Sequence, residues 1–161
     1  MIRVFVTGGT FDKTYDEIRG RLSFGDSHVP EMLRLGRSRV ELTVEKLMMI
    51  DSLDMSDADR QLIRERVAAC EAERVLITHG TDTMAETAKA LTGIANKTIV
   101  LTGSMQPARF RNTDAVFNVG FALGAVQALP PGVYLAINGR IFDAGHVRKN
   151  RERQQFEETD N

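Results

Sequence analysis

Hydroxyl-bearing residues and a carboxylate stand where three apolar runs of this chain stop. Thr7-Gly8-Gly9-Thr10 follows Val4-Phe5-Val6, Thr78-His79-Gly80-Thr81-Asp82-Thr83 follows Val75-Leu76-Ile77, and Thr102-Gly103-Ser104-Met105 follows Ile99-Val100-Leu101. A Thr or Ser hydroxyl is a nucleophile only where a neighbouring group takes its proton. Thr10 comes directly after Gly8-Gly9, where the missing side chains let a substrate approach the backbone closely. Thr81 and Asp82 enter a helical pattern, whose first N–H groups and dipole favour a bound carboxylate. Asp82 can hold a substrate ammonium, or simply cap that helix ahead of Met84 and Glu86; taken alone, the cap is the preferred reading. Lys149 lies in the polar stretch Val147-Arg148-Lys149-Asn150-Arg151 and reads by composition as a surface charge. Buried beside a hydroxyl, it would become a base.

Other chemistries have less support. His28, His79 and His146 are widely separated, and no GxSxG elbow accompanies them. Neither GxxxxGK[ST] nor GxGxxG occurs, which leaves nucleotide binding at Gly8-Gly9-Thr10 as a minor alternative. Cys70 is the single cysteine, so a disulfide framework or multi-cysteine metal site is excluded, and it reads as a small buried hydrophobe. The formal net charge of −1 gives no broad attraction to nucleic acid. Arg34, Arg37 and Arg39 read as a solvated helix end. No signal peptide is expected at Ile2, and no apolar run has the length of a membrane span.

The elements that must position these residues alternate along the chain. Strands are expected at Ile2–Val6, within Val40–Ile50, and at Arg74–Thr78, Thr98–Thr102 and Gly132–Ile137, with a short one starting at Ile141-Phe142. Helices are expected from Pro30 to a stop at Gly36, after the N-cap Ser56, at Thr83–Leu91 and at Ala115–Ala128. The alternation predicts an α/β fold, a mostly parallel open sheet with helices on both faces, in one domain over 1–161. Right-handed crossovers would bring the strand ends to one rim, beyond which ligands bind. Residues 7–28 read as a long functional loop, and 148–161 as a frayed helix or tail.

Thr7-Gly8-Gly9-Thr10, Thr78–Met84, Leu101-Thr102-Gly103-Ser104-Met105-Gln106-Pro107, Asp114–Asn118 and Gly139–Lys149 together resemble the bacterial-type L-asparaginase/glutaminase family. The likeness runs in order over nearly the whole chain and is closest to short bacterial members that hold only the amino-terminal domain. It implies that fold without the smaller C-terminal domain, and a threonine amidohydrolase needing neither cofactor nor metal. Thr10 matches the nucleophile, and Tyr15 the tyrosine of a mobile lid over 7–28. Thr81, Asp82 and Lys149 match the second catalytic group, and Thr81 keeps a claim to the first attack. Asp82 would hold the substrate α-ammonium and Ser52 the α-carboxylate. The peptide N–H groups of Thr81 and Ser104 would face the amide oxygen.

The chain departs from the family at Leu53, where a polar residue is usual, and at Asp51, where Gly is often found. Asp51 is expected to touch the α-ammonium or repel the α-carboxylate, and could replace an acidic group that two-domain members take from a neighbour. Leu53 is expected to narrow the pocket toward asparagine. The resemblance therefore implies an L-asparaginase acting on L-asparagine, with a homo-oligomeric (dimeric or tetrameric) state. The expected lack of a signal peptide and membrane span and the small net charge predict a cytoplasmic protein with no nucleic-acid or membrane partner. The alternatives are a glutaminase-asparaginase and an amino-acid-binding module of the same fold without turnover.

Overall fold

Strands built from unbroken apolar runs need cover on both faces, and helices supply it here. The computed structural model, which describes residues 1–160, begins with β1 (Ile2–Gly8), a 3-10 turn at Thr10–Asp12, and a hairpin of β2 (Lys13–Asp16) and β3 (Arg21–Phe24). There follow α1 (Val29–Leu35), β4 (Leu42–Ile50), α2 (Asp57–Ala69), β5 (Arg74–Thr78) and α3 (Met84–Leu91). Then come β6 (Thr98–Thr102), α4 (Ala115–Ala128), β7 (Gly132–Ile137), β8 (Arg140–Asp143), β9 (Val147–Asn150) and β10 (Gln155–Glu158).

The main sheet has the order β4-β1-β5-β6-β7-β8. Its first five strands are parallel, and β8 adds an antiparallel edge to β7. Alternate residues of β1 show the consequence of two covered faces. Ile2, Val4 and Val6 join a core with α1 and α4, whereas Phe5 joins one with α2 and α3. Ser56 caps α2 in a reciprocal box with Asp59, satisfying the first orphan N–H groups of the helix. No described helix is long and apolar enough to cross a membrane.

The parallel α/β expectation stands, and two segments differ from their sequence reading. Residues 7–28 are not an irregular loop, because Lys13 pairs with Phe24 and Tyr15 with Leu22 across a hairpin that turns at Gly20, where φ is 62°. Most of the hairpin is solvated, so no apolar alternation marks it. Residues 148–160 contain neither a frayed helix nor a tail. β9 and β10 pair antiparallel, and Val147 and Phe156 enter the core beside Phe142. One buried apolar residue, Phe156, in so polar a stretch is too little to announce strands. Gly36 does cap α1, but with φ −72°, and the left-handed position falls to Arg37.

Candidate active site

The strand order reverses direction around β1. The chain passes from β1 to β4 on one side and then returns to β5 on the other, so the crevice between β1 and β5 is the topological switch point of the sheet. Glycines allow the loops beyond these strands to touch there. A Cβ on Gly9, where φ is +82°, would lie 2.3 Å from the Cα of Gly80. A Cβ on Gly80 would meet Ser52 Oγ at 2.6 Å, and one on Gly103 would meet the His79 carbonyl oxygen at 2.3 Å. Gly9 N–H donates to the Ile50 carbonyl, closing the remaining gap to β4. Four strand ends are thereby drawn backbone to backbone, and the loops carrying Thr10 and Thr81 abut.

Lys149 reaches this rim from β9. Its Nζ donates to Thr81 Oγ1 at 2.7 Å and to Asp82 Oδ1 at 2.7 Å. The lysine side chain is only 6% exposed and that of Asp82 33%, so an enclosed ammonium meets a half-buried carboxylate rather than standing free at the surface. Asp82 is not the cap of α3. That position is Thr83, whose hydroxyl donates instead to the Ser52 carbonyl at 2.7 Å. Thr81 is buried. A hydroxyl, an ammonium and a carboxylate thus form one contiguous cluster, suited to moving a proton at Thr81 Oγ1 while keeping its charge balanced.

The residues beyond β4 are arranged differently from one another. Ser52 is buried, with its Oγ accepting from Thr83 N–H at 3.4 Å. Asp51 pairs with Lys13, Nζ to Oδ2 at 2.5 Å, and that hydrogen bond holds its carboxyl below the usual range. Lys13 was not singled out by sequence, because a lone lysine in a polar hairpin has no signal of its own. Leu53 donates its N–H to Asp51 Oδ1 and leaves its side chain largely exposed. Ser104 is buried, and its hydroxyl donates to the Gln106 carbonyl at 2.6 Å. Tyr15 is exposed on the hairpin, its hydroxyl 3.9 Å from the Cβ position of Gly20.

A polar brace that sequence left without a role holds the β6 end. Asp114 accepts the N–H of Met105 at 3.0 Å and of Gln106 at 3.1 Å, and also takes donors from Asn118 and Asn138. Burial opposes its charge, but these donors prevail and keep its carboxyl below the usual range. Asn118 donates to the Gly103 carbonyl at 2.9 Å, so the brace fixes the loop that carries Ser104. His79 makes no hydrogen bond to the Lys149, Thr81 and Asp82 side chains. It is fully buried, with Nδ1 2.7 Å from the Gly80 carbonyl and Nε2 2.8 Å from Thr87 Oγ1, and burial pushes its pKa down to about 4. Asp12 is buried, and that burial outweighs the His28 N–H donated to its Oδ1 and pushes its pKa up to about 6.

Fold and site together define an open α/β protein with a hydroxyl, amine and carboxylate cluster at its switch point. Residues 1–159 match the family described as Asparaginase, N-terminal, and the chain belongs to that family. The L-asparaginase of Thermococcus kodakarensis is 30% identical over 152 residues, covering 91% of this chain and 46% of that protein. L-asparaginase 1 of Escherichia coli K12 is 31% identical over 160 residues, or 92% of this chain and 47% of that one. The crystal structure of L-asparaginase I from Vibrio cholerae superposes with a TM-score of 0.83 at 27% identity, over 98% of this chain and 50% of that chain. The chain thus spans about half the length of the relatives it matches.

Proposed function

We propose that this chain is an L-asparaginase, hydrolysing L-asparagine to L-aspartate and ammonia. The observation that carries the reading is the enclosed Lys149 side chain bridging Thr81 Oγ1 and Asp82 Oδ1 beside the Gly9–Gly80 contact. A ligand-binding module has no need of a desolvated lysine on a threonine hydroxyl. Thr10 Oγ attacks the side-chain amide carbon of asparagine, and its proton passes to the departing nitrogen by way of the rim. The C–N bond breaks, ammonia leaves, and water then cleaves the threonyl ester to restore the hydroxyl and release aspartate. Peptide N–H groups of Thr81 and Ser104 stabilise the developing oxyanion, while Asp82 receives the α-ammonium. The β2–β3 hairpin serves as the lid, and its closure turns Tyr15 from solvent toward Thr10.

The decisive experiment is ammonia release from L-asparagine and L-glutamine by wild type and Thr10→Ala. Turnover of asparagine by wild type, lost in Thr10→Ala, is the expected result. Survival of activity in the variant would move the nucleophile to Thr81. Binding of asparagine without ammonia release by wild type would overturn the hydrolase reading in favour of a binding module.

A further inference from the structure

The Lys13–Asp51 pair is left unused by the cluster around Lys149, yet it stands at the same rim. Lys13 opens β2, three positions after Thr10, and its N–H donates to the Thr10 carbonyl. Asp51 immediately precedes Ser52, whose Oγ lies under Gly80. The ammonium of Lys13 is also 5.5 Å from the ring centroid of Phe24, its cross-strand partner. The two charged side chains are 22% and 29% exposed, so a ligand can reach them without their being fully hydrated.

A free amino acid presents a carboxylate and an ammonium on one carbon, and the rim must answer both. Asp51, Asp82 and Lys149 alone would give a net negative charge that attracts the ammonium and repels the carboxylate. Lys149 cannot serve the carboxylate, since it is buried between Thr81 and Asp82. Ser52 offers a buried dipole and no charge. Lys13 is the remaining cation of the two ion pairs, and it brings the rim to neutrality, matching a zwitterion.

We infer that Lys13 binds the α-carboxylate of a free amino-acid amide, with Asp51 beside it as a counter-charge to the α-ammonium. The inference rests on the amidohydrolase reading of the rim. It supplies from one chain a charge pair for the polar end of the substrate. It also confines the enzyme to free amino acids, because an asparagine within a peptide lacks the carboxylate that Lys13 requires.

The test compares kcat/KM for L-asparagine, for succinamate (which lacks the ammonium) and for 3-aminopropanamide (which lacks the carboxylate). Wild type, Lys13→Met, Lys13→Arg and the Lys13→Met/Asp51→Asn double variant are assayed, with inhibition constants used where turnover is slow. Lys13→Met should lose about 10- to 100-fold on asparagine and succinamate, mainly through KM, as expected for a lost bond to a charged group. Its loss on 3-aminopropanamide should be at least about tenfold smaller. The double variant should keep the same pattern, and Lys13→Arg should recover part of the activity. An equal loss on all three compounds would overturn the inference, leaving Lys13 as a clip for the hairpin. Recovery in the double variant would also overturn it, by tracing the loss to an unpaired Asp51. Should wild type release no ammonia from any of them, the amidohydrolase reading fails by itself. Calorimetric binding of L-aspartate and succinamate then judges Lys13: affinity lost in Lys13→Met sustains the assignment, and unchanged affinity removes it.

Discussion

Burial decides what each charged residue at the rim can do. Lys149 sits in a polar stretch, yet its side chain is almost wholly enclosed and its Nζ donates to a hydroxyl and a carboxylate, groups that could share a proton. Lys149→Met should lower kcat by about 100-fold or more, the usual range for a positioned proton-transfer group, with KM less affected. A stopped-time ammonia assay reads this directly, and a kcat within a few-fold of wild type would remove Lys149 from the mechanism. His79 shows the opposite case. Its central place in Thr78-His79-Gly80-Thr81 suggests chemistry, but both ring nitrogens are spent on Gly80, Thr87 and Met55. His79 is a core histidine that orders the loop bearing Thr81.

Among the elements, the loops beyond the strands depend on glycine for geometric reasons that differ from place to place. Gly9 needs both its positive φ and its missing Cβ, because Gly80 occupies the space a side chain would take. Gly9→Ala should cost at least about 2 kcal/mol, combining backbone strain with a backbone clash. Chemical denaturation checks this through a lower midpoint. Gly120 lies within α4 with nothing inside 4 Å of its Cβ position. Gly120→Ala should therefore stabilise by about 0.5–1 kcal/mol, since alanine narrows the unfolded ensemble and favours the helix. The two variants make a matched pair: the same substitution, with opposite signs set by surroundings. The hairpin and the β9–β10 unit were illegible as strands for a shared reason. Their residues are mainly solvated, so little apolar periodicity exists to be read.

For the molecule as a whole, acid stability is set by groups buried on opposite terms. His79, with a folded pKa of about 4 against an ordinary 6.5, stays neutral where the unfolded chain takes up a proton. Its contribution falls as pH drops from about 6.5 to 4. His28, also held low by burial, acts with the same sign. Asp12, raised from 3.8 to about 6, holds a proton that the unfolded chain has released, so its contribution rises as pH drops through that window. The opposing slopes partly cancel in wild type. Asp12→Asn should make thermal stability fall more steeply between pH 6.5 and 4, and His79→Gln should flatten or reverse the slope. Scanning calorimetry across that range reads both, and unchanged slopes would refute the balance. At the surface, α4 carries no charge over its length and exposes Phe117 stacked on Phe121 at 6.3 Å. A homo-oligomer of the kind the resemblance implies would have this apolar face as its candidate interface. Phe117→Asp should shift the mass measured by light scattering toward a single chain, and an unchanged mass would place the interface elsewhere.

Period and punctuation in the amino-acid sequence determined the strands at Ile2, Arg74, Thr98 and Gly132, the capped helix after Ser56, and the parallel α/β class. Short-range patterns carry that information because each strand is buried on both faces and each helix on one. They also brought Thr10, Thr81 and Asp82 forward, since hydroxyls and a carboxylate break otherwise apolar runs. Sequence could not assign Lys149 to Thr81 except by resemblance, nor Asp51 to Lys13 at all. Those pairs join positions 68 and 38 residues apart, and only the packed loops decide which charges meet. Burial of Lys149 and of Asp12 is likewise a property of the assembled surroundings. Such enclosure comes from neighbours distant in the chain, which is why the surroundings of these groups are decided by tertiary structure alone.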